Sequence, residues 1–232
     1  IVVTYNPSSL GTQSDTIDIS YNDGVAGQTA NRAVQGTAAA PATITISDGA
    51  TYNFGSKANG SSTDKTFTLT NSGAFVAASM SGGGLAAPYT FKGGSYPGTG
   101  GTCSTTLAAS GNCTVVVTFA PTVTGTHNDT IDISYHNGVS SQTASRDVTG
   151  ISAPPATLAI SDGATYNFGT LATGSSTDKT FTVNNTGGTD ATSVSGTGLV
   201  APFTFKGGTY PGTGGTCGTT IASSASCTLV VN

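Results

Sequence analysis

Glutamate and tryptophan are absent from this chain, methionine occurs once and histidine twice, and charged residues make up only 8% of the sequence. All eleven acids are therefore Asp, and no Glu is available to pair with Asp for glycoside hydrolysis. The seven Lys and Arg are scattered and the formal net charge is −4, which argues against a nucleic-acid surface. No apolar run approaches the roughly 20 residues of a membrane span, and the first residues carry no charged start and apolar signal segment. Any targeting element is expected outside these residues. Low charge accompanies disorder when apolar residues are also scarce, but here Val, Ile, Phe and Tyr fall in short alternating runs between Gly, Asn, Asp and Pro. A folded, extracellular structural chain is the expectation, with no cofactor.

What the chain does contain, it contains repeatedly. Residues 43–118 lie on residues 157–232 without insertion or deletion at a shift of 114 positions, and the same shift lays residues 1–36 on 115–150. The chain reads as a tandem array with a 114-residue period. Residues 1–36 are assigned to the last strands of one module, 37–42 to a linker, 43–150 to a complete module, 151–156 to a second linker and 157–232 to the beginning of a third. Two readings of this arrangement follow. The sequence is an excerpt of a longer polypeptide, or its last module is closed by N-terminal strands of another copy. Residues 1–4 and 229–232 match the same strand, 115–118, so the two ends duplicate one position and the excerpt reading is preferred.

Within 43–150 the β-branched and aromatic segments 43–46, 52–54, 65–70, 89–92, 114–119, 129–135 and 141–148 read as strands, and the Ala-rich stretch 74–80 adds an irregular one. Phe67, Leu69, Val115, Val117, Phe119, Ile131, Ile133 and Tyr135 share the inward parity. No segment keeps a helical period. The fold class is all-β, tandem immunoglobulin-like sandwiches of about seven to eight strands each. Asn137-Gly138, matched by Asp23-Gly24, predicts a type I′ turn between the last two strands.

Each module carries one Cys pair ten positions apart, Cys103 with Cys113 and Cys217 with Cys227. A disulfide implies an oxidising compartment and a stapled loop worth on the order of 2 to 3 kcal/mol. A metal site would need four ligands at tighter spacing with His nearby, and reduced thiols are the alternative for a cytosolic chain. The disulfide reading is preferred. The segment 103–121, with Leu107, Gly111, Asn112, Cys113, the valines 115–117, Phe119 and Pro121, followed by Gly125, resembles the immunoglobulin-like repeats of bacterial choice-of-anchor D surface proteins. These are similar in outline to the ASPM/SPD-2/Hydin type of domain, and 53–55, 71–73 and 148–150 agree with it. The resemblance implies a secreted or cell-surface protein whose modules serve as stalks, filaments or adhesive arrays, and it brings no active site with it.

Candidate sites are few. His127 and His136 align with Gln13 and Asn22, so neither position is His in each copy, and both are read as surface hairpin residues. Asp48 and Asp64, copied as Asp162 and Asp178, are read as solvated turn carboxylates rather than calcium ligands. The Gly-rich runs 92–101 and 206–215 lack the Gly-Lys-Ser/Thr ending of a phosphate loop. Tyr96 with Pro97, repeated as Tyr210 with Pro211, is the candidate for ligand or inter-module contact, since an aromatic beside Pro can stack on a sugar or on a neighbouring module. The alternative is that the ring packs over its own loop. The partners expected are neighbouring modules or copies of the same chain, with a surface glycan or protein as the adhesive alternative. Pro41, Pro154 and Pro155 make the linkers short and semi-stiff, and each module should advance the array by roughly 40 Å.

Overall fold

The computed structural model describes residues 1–232, and the chain is all-β. Strands β1 (Gly11–Asn22) and β2 (Gly27–Ala38) form an antiparallel hairpin that pairs with no other strand. The strands β3 (Ile44–Ile46), β4 (Thr51–Ala58), β5 (Thr63–Asn71), β6 (Ala78–Gly83), β7 (Tyr89–Phe91), β8 (Asn112–Phe119), β9 (Gly125–His136) and β10 (Ser141–Ala153) build the central module. Five shorter strands follow: β11 (Leu158–Ile160), β12 (Lys179–Asn185), β13 (Ala191–Thr192), β14 (Thr220–Ile221) and β15 (Ser226–Val231).

The central module is a two-sheet sandwich. One sheet has the order β3-β5-β8-β7 and the other β4-β10-β9-β6, each four-stranded. Alternation decides the faces. The sequence Thr-Phe-Thr-Leu-Thr in β5 can bury Phe67 and Leu69 only by exposing the threonines, and β8 answers with Val115 opposite Phe67 and Cys113 opposite Leu69. From the facing sheet come Ile131, Ile133 and Tyr135 of β9 and Val148 of β10, all buried. Tyr89 stacks on Phe119 with ring centroids 4.8 Å apart, and Phe54 tilts against both at 5.7 and 5.5 Å. Each such side chain contributes roughly 1.5 to 3 kcal/mol by burial, so the sandwich rests on this aromatic and β-branched layer.

Three details differ from the sequence reading. The turn between β9 and β10 has a positive φ at Gly138 (99°) and at neither Asn137 nor Val139, so the two successive positive φ angles of a type I′ turn are absent; Gly24 (97°) repeats it. Asn137 is freed from a left-handed conformation, and its Oδ1 instead accepts from the Val139 and Ser140 amides, both at 2.8 Å. The second difference is that strand pairing runs into the linkers, since β2 ends at Ala38 and β10 at Ala153. Lastly, residues 1–4, which match four residues of β8, form no strand. Their partner in a complete module is β5, and β1 and β2 bring no counterpart of it.

Candidate functional site

Both Cys pairs are disulfides, with sulfur–sulfur distances of 1.95 Å for Cys103–Cys113 and 1.91 Å for Cys217–Cys227. The loop they close presses on the core through Leu107, which is buried and bridges to Ala77. Tyr96 lies beside this loop. Its ring meets Phe91 edge-on at 5.8 Å, its hydroxyl donates to the Ser104 carbonyl at 3.2 Å, and burial pushes its phenol pKa up. A Cβ at Gly82 would sit 2.5 Å from both rings, so that glycine is the floor on which the pair rests. Pro97 is half-buried and its carbonyl accepts from the Val116 amide at 2.8 Å, tying the Gly-rich run to β8. Tyr210 repeats the edge-on contact with Phe205 at 5.6 Å over Gly196, and the Pro211 carbonyl accepts from Val230 at 2.7 Å. Tyr96 and Pro97 are thus held together, and Tyr210 and Pro211 likewise, each pair half-exposed on its own module.

A second constellation was not singled out from sequence as a site. Asn71, fully buried, accepts from the Gly73 amide at 3.0 Å and the Thr43 amide at 3.1 Å through Oδ1. Its amide nitrogen donates to the carbonyls of Phe75 at 2.8 Å and Ala108 at 3.1 Å. One side chain therefore joins the module entrance, the β5 exit and the disulfide loop. Asn185 does the same with Gly187, Thr157, Thr189 and Ala222. The only sequence clue is that an Asn recurs at the same phase as inward-facing Phe67 and Leu69, where an apolar residue is expected.

The turn carboxylates are ion-paired. Asp48 binds Lys65 at 2.7 Å and Asp64 binds Lys92 at 2.8 Å, with Asp162–Lys179 and Asp178–Lys206 as their copies. Hydrogen bonding to Lys65 and Ser47 holds the Asp48 carboxyl below its ordinary range, and Lys65 also lies 4.6 Å over the Tyr52 ring. The two histidines are separate. His136 ends β9 and its Nδ1 accepts from Gly138, whereas His127 is half-buried against Phe119 at 5.9 Å.

The last constellation is an open apolar face. Residues 157–232 form the sheet β11-β12-β15 and the pair β13-β14, but the facing sheet is not formed. Leu158, Ile160, Phe181, Val183, Leu229 and Val231 line a groove of about 480 Å³. Leu158 is 41% and Ile160 59% exposed, whereas their counterparts Ile44 and Ile46 in the central module are each 5% exposed.

This arrangement defines residues 43–150 as a disulfide-stapled immunoglobulin-like sandwich. Residues 45–150 match the family profile of the HYDIN/CFA65/VesB-like immunoglobulin-like domain. No curated protein matches the chain. Among solved structures, the chain is similar to the ASH/PapD-like domain 7 of human CEP192, with 20% identity over 50% of this chain and 88% of that one and a TM-score of 0.38. It is also similar to the VesB protease of Vibrio cholerae, with 17% identity over 48% of this chain and 32% of that one and a TM-score of 0.38. The class 5 fimbriae chaperone CfaA gives 10% identity over 79% of this chain and 84% of that one, with a TM-score of 0.30.

Proposed function

We infer that the chain is a non-catalytic, load-bearing segment of a secreted or cell-surface protein, in which stapled immunoglobulin-like modules follow one another as a stalk or filament. The observation that carries this reading is repetition of scaffolding: disulfide, buried Asn, Lys–Asp pairs and aromatic layer recur at the 114-residue shift. The resemblance to choice-of-anchor D surface repeats agrees with it, as does the need of the disulfides for an oxidising compartment.

The route of force through the module supports a mechanical role. Strands β4 and β10 pair in parallel, from Thr51↔Asp147 to Ala58↔Ala153. Pulling the chain before β4 and after β10 loads opposite ends of two parallel strands, so their hydrogen bonds resist together in shear. The disulfide, with its Cα atoms 4.8 Å apart, keeps the 103–113 loop out of the extensible length. Single-molecule stretching of the chain should give a central-module unfolding step whose contour increment grows by about 30 Å on reduction, from ten further residues at 3.3–3.6 Å each. An unchanged increment would remove the stapled-module reading.

Adhesion is the second reading, favoured by the half-exposed Tyr96-Pro97 and Tyr210-Pro211 corners at equivalent places. A glycan or protein ligand would stack on them, and binding on a glycan array lost in Tyr96→Ala with Tyr210→Ala would establish it.

A further inference from the structure

We propose that the linkers are keyed joints and not hinges: each is seated on the module that follows it, so that successive modules hold one fixed orientation, and the second joint is locked by Pro154 standing against Gly188. The inference deepens the stalk reading, because a row of modules resists bending only when its joints do. Almost no free chain separates one module from the next. At the second joint Ala153 is still paired with Ala58 of β4, and its carbonyl accepts from the Asn59 amide at 2.8 Å. The very next carbonyl, that of Pro154, accepts from the Gly188 amide of the following module at 3.0 Å. At the first joint Ala38 pairs with Gly11 and the Ala40 carbonyl accepts from the Ala74 amide at 3.1 Å, which leaves Ala39 alone between the two.

The seat is the turn after β5 and its copy after β12. A Cβ at Gly73 would lie 2.1 Å from the Pro41 carbonyl oxygen, and one at Gly187 2.1 Å from that of Pro155. Each linker therefore lies directly on its turn, and the missing side chain is what lets the two backbones approach. Asn71 and Asn185, whose side chains hold these turns, also accept from the Thr43 and Thr157 amides at the end of each linker, at 3.1 and 3.2 Å. At the first joint the Ala42 amide adds a bond to the Asn137 carbonyl at 3.0 Å.

The two joints differ by a compensating pair. The first has Ala40 bonded to Ala74, and the equivalent residues of the second are Pro154 and Gly188. A Cβ at Gly188 would lie 2.8 Å from the Pro154 Cδ and 3.0 Å from the Ala153 Cβ, and a pyrrolidine ring has little freedom to yield. Ala40 presents no ring, and Ala74 is accommodated beside it. A change in the linker matched by a change in the module it touches is the mark of a contact that is kept. Pro154 and Pro155 also fix two successive φ angles at about −65° and confine Ala153 to extended backbone, so the second joint lacks the unrestricted residue that the first has in Ala39.

The test places spin labels at equivalent exposed strand positions, Thr66→Cys and Thr180→Cys, in the 232-residue chain, whose native cysteines are all disulfide-bonded. Pulsed electron paramagnetic resonance should give one narrow distance peak across the second joint. Gly188→Ala should broaden or shift that peak and cost the amide at position 188 its protection from hydrogen exchange. Adding Pro154→Ala to Gly188→Ala recreates the pairing of the first joint and should restore both a single peak and the protection, with the Cys217–Cys227 disulfide and circular dichroism checking folding throughout. Pro154→Ala alone should keep the protection and widen the peak. A broad distribution in the chain without these substitutions, an unchanged peak in Gly188→Ala, or a double variant no better than Gly188→Ala overturns the proposal. None of these results alters the contour increment gained on reduction, so the joints and the stapled modules stand or fall separately.

Discussion

At the residue scale the least replaceable side chain in the central module is Asn71. Its amide satisfies backbone donors and acceptors from three separate segments, and nothing apolar of similar size can do so. Asn71→Ala should lower stability by about 2 to 4 kcal/mol, as the Gly73 and Thr43 amides and the Phe75 and Ala108 carbonyls lose their partner together. Asn71→Asp should be at least as damaging, because an acceptor then faces the Phe75 and Ala108 carbonyls; denaturant midpoints of the two variants check both. Tyr89 gives the protein an alkaline limit. Desolvation, aided by the Asp129 charge, pushes its phenol from 10.0 to about 12. A phenol raised in the folded state contributes stability that is complete below pH 10 and is lost as pH rises through about 12, amounting to at most about 2.7 kcal/mol for two units. A thermal melt series from pH 9 to 12 should show the central module losing stability more steeply than in Tyr89→Phe, which keeps the ring on Phe119 and removes the titration. The third module carries Phe203 at this place and should lack that component.

At the scale of elements, inward and outward faces could be read from alternation alone. The eight residues assigned inward on 65–70, 114–119 and 129–135 are all buried, because a half-covered strand leaves only one parity for apolar side chains. Turn geometry was less legible. Asn-Gly suits two left-handed residues, yet Asn137 acts as a side-chain acceptor and Gly138 alone takes the positive φ. A β-branched side chain is poorly tolerated there, and a Cβ would also lie 2.6 Å from the Phe75 ring. Gly138→Val should therefore destabilise the central module by about 1 to 3 kcal/mol, measured by denaturation, whereas a change at Val139, 74% exposed, should be within about 0.5 kcal/mol. The Tyr96 and Tyr210 corners were visible as motifs, but the glycines beneath them, Gly82 and Gly196, lie fourteen positions earlier, where no local pattern connects them to the rings.

For the whole molecule, the two sandwich regions differ in how much core they close. Twenty buried residues form the central cluster, and six form that of residues 157–232. Calorimetry of the 232-residue chain should therefore resolve two transitions, the lower one from residues 157–232; a single transition would contradict this. The period, the strand phases and the Cys spacing were determined by the sequence by itself, since repetition, alternation and a ten-residue separation are local properties of the chain. Only the tertiary structure decided which strands share a sheet, that β4 and β10 run parallel, that one Asn joins three segments, and which apolar faces stay uncovered. Those outcomes depend on surfaces brought together from residues up to about a hundred positions apart, and burial is settled only when a partner surface is present to exclude water.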